Sequence, residues 1–118
     1  MVEDTVAKLM ADFFKTLSHP VRVNVLRLLK DGERCVCEMI DELDIKQSNL
    51  SQHLRVMKKQ GLIDFKKDGQ RVMYHVEYPS VFEVISAVEQ TLNEQISRHT
   101  KFAGRIILKC CHKKPDTS

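Results

Sequence analysis

The chain has 118 residues, of which 42% are hydrophobic and 30% charged, with a formal net charge of +3 and a pI near 8.7, the profile of one ordinary domain with one modest core. No apolar run reaches the length of a membrane span, and the acidic start MVEDTVAKLM lacks the basic flank of a secretory leader. A cytoplasmic location without membrane contact is therefore expected, where the four cysteines serve as thiols, metal ligands or redox sensors rather than structural disulfides.

Val6, Leu9, Met10, Phe13, Phe14 and Leu17 recur at helical spacing and predict an amphipathic helix over residues 3–17. Ser18-His19-Pro20 ends it and opens a second, because proline is tolerated in a first helical turn. That second helix puts Val21, Val25, Leu28 and Leu29 on one face, with Arg22 and Arg27 able to point outward, and stops at Asp31-Gly32. After Cys35 and Cys37 comes a short helix with Met39, Ile40 and Leu43 inward, then a turn at Asp44-Ile45. Leu50, Leu54 and Met57 carry the next helix, over residues 47–60, to Gly61. Two helices across a tight turn make a helix-turn-helix. LIDFKK and RVMYHVEY read as strands flanking Asp68-Gly69, a hairpin signal. Pro79-Ser80 opens a last helix striped by Val81, Val84, Ile85, Val88, Leu92 and Ile96 until Gly104. The order predicts a mainly α (α+β) winged helix-turn-helix with a two-stranded wing, residues 1–104, followed by a basic, cysteine-containing tail, residues 105–118.

With its leucines inward, the helix at 47–60 turns Ser48, Gln52, Arg55 and Lys59 outward, with Gln47, Ser51 and His53 toward its flanks and first turn. Glutamine and serine can bond base edges, and arginine can grip guanine through two hydrogen bonds. Lys46, Lys58 and Lys59 suit phosphates, as do the free N–H groups of the first turn. At the hairpin tip, Lys66, Lys67, Gln70 and Arg71 cluster, and Lys67 and Arg71 can follow the DNA backbone into the adjacent minor groove. Competing readings are a solvated helix face and a charged edge that discourages sheet aggregation. The last helix's stripe is longer than a small core absorbs, so part of it is expected to join two copies, as a two-fold DNA site requires.

FFKTLSHPVRVNVLRLL, ERCVCEMIDEL, KQSNLSQHLRVMKKQGLI and FKKDGQRVMYHV, in that order, resemble the ArsR/SmtB family of metal-responsive repressors, across nearly the whole domain. The resemblance implies a homodimer that binds double-stranded operator DNA when free of effector and releases it when effector binds. Lys46 stands where the family commonly has serine, which weakens the helix cap. ERCVCE is similar to the family's thiol metal box, in which a third cysteine follows the C-V-C; here that position is Ile40. The family's alternative zinc site on the last helix has no counterpart among His99, Glu89 and Glu94.

Soft thiolates favour thiophilic ions. Cys35 and Cys37 are expected to bind As(III) or Sb(III), with Cd(II) and Pb(II) as further candidates, and Cys110 or Cys111 to complete the site. Charged Glu33, Arg34 and Glu38 around the pair argue that at least one thiol is accessible rather than both being buried. The rival is a repressor sensing oxidants or persulfides through the same thiols. A thiol oxidoreductase is discounted, because the spacing is C-x-C and no βαβ unit exists. No nucleophile-base set or phosphate-cradling glycine loop suggests an enzyme. The expected switch is mechanical: an ion drawn to Cys35 and Cys37 tilts the helix that packs against the recognition helix.

Overall fold

The computed structural model describes residues 2–99. Among them the order is α1 (Val2–Thr16), α2 (Pro20–Leu29), β1 (Arg34–Cys35), α3 (Val36–Leu43), α4 (Gln47–Lys59), β2 (Ile63–Asp68), β3 (Arg71–Val76) and α5 (Ser80–His99). This is the winged helix-turn-helix expected, with one addition. The sheet has three antiparallel strands in the order β1-β3-β2, because Arg34 pairs with Tyr74 and Cys35 with Met73 along the wing's free edge.

The chain divides into two compact units after Phe82. The first unit's core is built from α2, α3, α4 and the base of β2: Val25, Leu26, Met39, Leu50, Leu54, Met57 and Ile63 are essentially inaccessible. Leu26, which the periodicity did not single out, is as buried as its neighbours. Truncating Leu54 to alanine should lower unfolding free energy by about 2–5 kcal/mol, since the close-packed site collapses only in part. Urea denaturation followed by circular dichroism measures it.

Each helix of the reading pair has a defined end. Cys35 caps α3: its sulfur accepts the Glu38 N–H, and the Glu38 carboxylate accepts the Cys35 N–H, a reciprocal capping box. Asp44 closes α3 in the left-handed region at φ 52° and donates its N–H to Ile40. Lys46 precedes α4 in extended conformation and supplies no side-chain cap, so the first-turn N–H groups of α4 gain no partner from it. At the other end Leu62 N–H reaches the Met57 carbonyl and Gly61 N–H that of Lys58, with Gly61 at φ 83°, a Schellman stop. Asp68 pairs with Arg71, so the two-residue hairpin loop is Gly69-Gln70, one position later than the Asp68-Gly69 expected. Gly69 at φ 68° supplies the positive φ that such loops require.

Two helices leave apolar rows in solvent. On α1, Val6, Leu9, Met10 and Phe14 are exposed. On α5, Ile85 is buried, whereas Val88 and Leu92 remain 47% and 44% exposed.

Candidate nucleic-acid interface and thiol pair

Burial sorts the faces of α4. Leu50, Leu54 and Met57 are buried, Ser51 and His53 are partly covered, and Gln47, Ser48, Gln52, Arg55 and Lys59 are exposed, as is Lys46 before the helix. Among the described residues, Lys46, Arg55, Lys59 and Lys67 take part in no ion pair, which leaves their charge available to a polyanion. Lys58, by contrast, lies 3.9 Å from Asp64 and over the Phe65 ring.

The wing's other cations are tethered. Lys66 Nζ is 3.0 Å from Glu33. Arg71 reaches back across the sheet: its guanidinium lies 3.8 Å from the Glu38 carboxylate and 3.5 Å from the Cys35 sulfur. The cross-strand pair Phe65–Tyr74, with ring centroids 5.4 Å apart, stiffens the wing. Burial pushes the Tyr74 phenol above its ordinary value.

Cys35 and Cys37 are joined as a disulfide. The sequence predicts thiols or ligands here; a loop closed over one intervening residue restrains little unfolded-chain entropy, so the bond adds little as a staple. The two sulfurs differ in setting: Cys35 is 2% exposed, while Cys37 is exposed on α3. Cys37 lies in α3 and Cys35 caps that helix, while Cys35 also ends β1 and pairs with Met73 of β3. The thiol pair is therefore wired to the wing through Arg71 and Glu38 as directly as to α4 through α3. Among the described residues no cluster of three His, Cys, Asp or Glu can hold a metal ion. Cys110 and Cys111, expected to complete such a site, lie outside the described residues.

The sequence allowed Arg22 to point outward and gave no partner for it; the structure supplies one. Arg22 is partly covered; its Nε donates to His53 Nδ1 at 3.1 Å and Nη1 to the Thr16 carbonyl at 3.1 Å. The His19 ring sits 5.4 Å from that of His53. Burial first, then the charges of Arg22 and His19, push the His53 imidazole below its ordinary value. Glu38 was likewise missed as a cap and as the partner of Arg71, although C-x-x-E is the capping-box spacing with sulfur in place of hydroxyl.

Residues 19–64 match the family described as "Bacterial regulatory protein, arsR family". The HTH-type transcriptional regulator Rv0081 of Mycobacterium tuberculosis is 34% identical over 98 residues, covering 82% of this chain and 86% of that protein. Its crystal structure superposes with a TM-score of 0.75 over 80% of this chain and 95% of that one. The transcriptional repressor BigR from Xylella fastidiosa superposes at 0.66 with 28% identity, over 79% of this chain and 92% of that one. A homodimeric winged helix-turn-helix DNA-binding domain from Mycobacterium bovis, Mb0332, shares the fold at 0.74 with 23% identity, over 83% of this chain and 91% of that one.

Proposed function

The chain belongs to the ArsR family of DNA-binding transcriptional repressors, and we propose that it reads a two-fold operator as a homodimer and releases it when Cys35 and Cys37 are engaged together. The family is one of regulators, not enzymes. Residues 1–104 form the reading and dimerising domain in this account, and residues 105–118 a tail that carries Cys110 and Cys111. Base edges fall to Gln47, Ser48, Ser51, Gln52 and Arg55, and backbone phosphates to Lys46, His53, Lys59, Lys67 and Arg71.

The observation that carries the sensing half is the contact of the Cys35 sulfur with Arg71, at 3.5 Å, made while that sulfur is disulfide-bonded to Cys37. In this account the disulfide fixes the Cys35 sulfur beside Arg71 and Glu38, and reduction frees the two sulfurs and lets the wing take its reading position. The disulfide forms by oxidation of the two thiols. Two thiols lose two electrons and two protons to an oxidant such as a disulfide or diazene, which is reduced in turn. In that disulfide form Arg71 is held by both the Cys35 sulfur and the Glu38 carboxylate, with the cap of α3 formed, and in this account it is thereby kept from the operator phosphates.

A thiophilic ion is the second reading, and the donor chemistry favours it: Cys35 and Cys37 offer two soft thiolates one residue apart, suited to As(III), Sb(III), Cd(II) or Pb(II). A third thiolate would have to come from Cys110 or Cys111. Such an ion would bridge the same two sulfurs beside Arg71. The two readings separate in one experiment on a duplex selected from a random pool by the wild-type protein. Release is measured in parallel against diamide without metal, and against arsenite, antimonite, cadmium and lead under full reduction. Release by diamide that dithiothreitol reverses supports the redox switch. Release by a reduced ion, with sulfur-to-ion charge-transfer absorbance, supports ion sensing. Release by neither overturns the sensing proposal.

The reading half is tested separately. Gln52→Ala and Arg55→Ala should each weaken binding to the selected duplex by about 1–3 kcal/mol while leaving scrambled DNA nearly unaffected. Lys67→Ala should weaken both duplexes alike and reduce the slope of log affinity against log salt by roughly 1. Fluorescence anisotropy across a salt series checks both outcomes.

A further inference from the structure

Arg22 opens α2 and His53 lies mid-way along α4, yet they meet in a side-chain hydrogen bond of 3.1 Å. The chemistry of that bond is one-sided. A guanidinium only donates, so His53 Nδ1 supplies the lone pair and the ring's single proton sits on Nε2. An imidazolium carries hydrogen on both nitrogens and cannot keep the bond. Arg22 is itself anchored, because its Nη1 donates to the Thr16 carbonyl at the end of α1. Among the described residues no hydrogen-bond partner is recorded for His53 Nε2.

We propose that Arg22 is a positioning residue for DNA reading: it locks His53 in the neutral, Nε2-protonated tautomer and aims that N–H from the flank of α4 at an operator phosphate. His53 stands one position from exposed Gln52 on the same helix, while its partner Arg22 is tied back to α1. The recognition helix thus gains a donor whose direction is set by α2, and whose strength does not depend on a proton taken from solvent.

The surroundings agree. The titratable and charged groups near His53 are Arg22 of α2 and His19 just before it. Asp12 and Lys15 of α1 line the adjoining cleft, completed on the α4 side by Val56 and Gln60. Burial first, then the electrostatic influence of Arg22 and His19, holds the imidazole below its ordinary value. As pH falls past the ordinary histidine range, near 6.5, the folded ring therefore stays neutral while an unfolded one would take a proton. Stability then declines as the pH drops through the interval down to the folded value, and is restored above it.

Glutamine provides a clean test. Its amide nitrogen hangs on the same side-chain carbon as the arginine Nε, so Arg22→Gln keeps a donor for His53 Nδ1 and loses the charge. The probe is the duplex selected by the wild-type protein. Arg22→Ala should bind it roughly tenfold more weakly at pH 8, the scale of one charge-assisted hydrogen bond. That loss should shrink below pH 6.5, as a freed imidazole becomes a cation beside phosphate. Arg22→Gln should stay within about threefold of wild type, with the same flat pH profile. In a His53→Ala background, Arg22→Ala should have no further effect. The NMR nitrogen shifts of His53 in the unsubstituted protein should report a neutral ring with hydrogen on Nε2. Three outcomes overturn the proposal: Gln as damaging as Ala, additive losses in the double variant, or an Nδ1-protonated ring in the unsubstituted protein. The NMR reading decides even if Arg22→Ala fails to fold.

Discussion

Serine at both Cys35 and Cys37 is expected to leave operator affinity within about threefold of wild type and to abolish release. The first half follows from the cap. The Cys35 sulfur accepts the Glu38 N–H at 3.4 Å, and a serine hydroxyl does so at least as well, being among the preferred helix caps. The start of α3 and the β1–β3 pairing therefore survive. Arg71 keeps the Glu38 carboxylate at 3.8 Å. The second half follows from sulfur chemistry: serine neither forms a disulfide nor offers a soft thiolate. A regulatory coupling of the usual size, 5- to 150-fold in affinity or about 1–3 kcal/mol, should vanish for oxidant and arsenite alike. Anisotropy with and without each agent measures it. Cys110→Ser and Cys111→Ser divide the two sensing readings, because a disulfide between Cys35 and Cys37 is indifferent to both, whereas a three-thiolate site loses its arsenite response with one of them. A Cys35→Ser, Cys37→Ser protein that still released DNA would remove the pair from the mechanism.

Val88→Asp or Leu92→Glu on α5 should convert a dimer into a monomer. Both positions are apolar and about half exposed, so the substitution should leave the folded monomer largely unstrained. In an apolar interface between copies, an unpaired carboxylate carries a desolvation penalty of several kcal/mol. Operator affinity should fall with it, on the order of a hundredfold or more, because two linked reading heads bind far more tightly than one. Light scattering gives the oligomeric state, and circular dichroism checks that the helix content is kept. A variant that is folded and still dimeric would assign these side chains to the monomer surface.

Most of the fold was legible because its helices carry clear apolar periods. Leu50, Leu54 and Met57 marked the buried side of α4, and with it the outward position of Gln52 and Arg55. What escaped was tertiary. β1 is only two residues long, too short to show any alternation, and it exists because Cys35 finds Met73 across the sheet. The partner of Arg22 escaped because a helical projection contains only its own helix, and His53 lies 31 positions away. The thiol pair was recognised as a unit from its C-x-C spacing. Its link to the wing depends on Arg71 folding back onto β1, which no local pattern records. The sequence alone therefore routed the switch through the support helix, and the structure adds the shorter route through the wing.

The most direct test of that account compares operator affinity in two defined states of the same protein. One is fully reduced; the other carries a disulfide mapped to Cys35 and Cys37 by mass spectrometry, with Cys110 and Cys111 reduced. The measurement is repeated with Arg71→Ala. The account predicts that the disulfide form binds the selected duplex at least fivefold more weakly than the reduced form, and that most of this difference disappears when Arg71 is replaced. Equal affinity of the two forms, or an undiminished difference without Arg71, would contradict it.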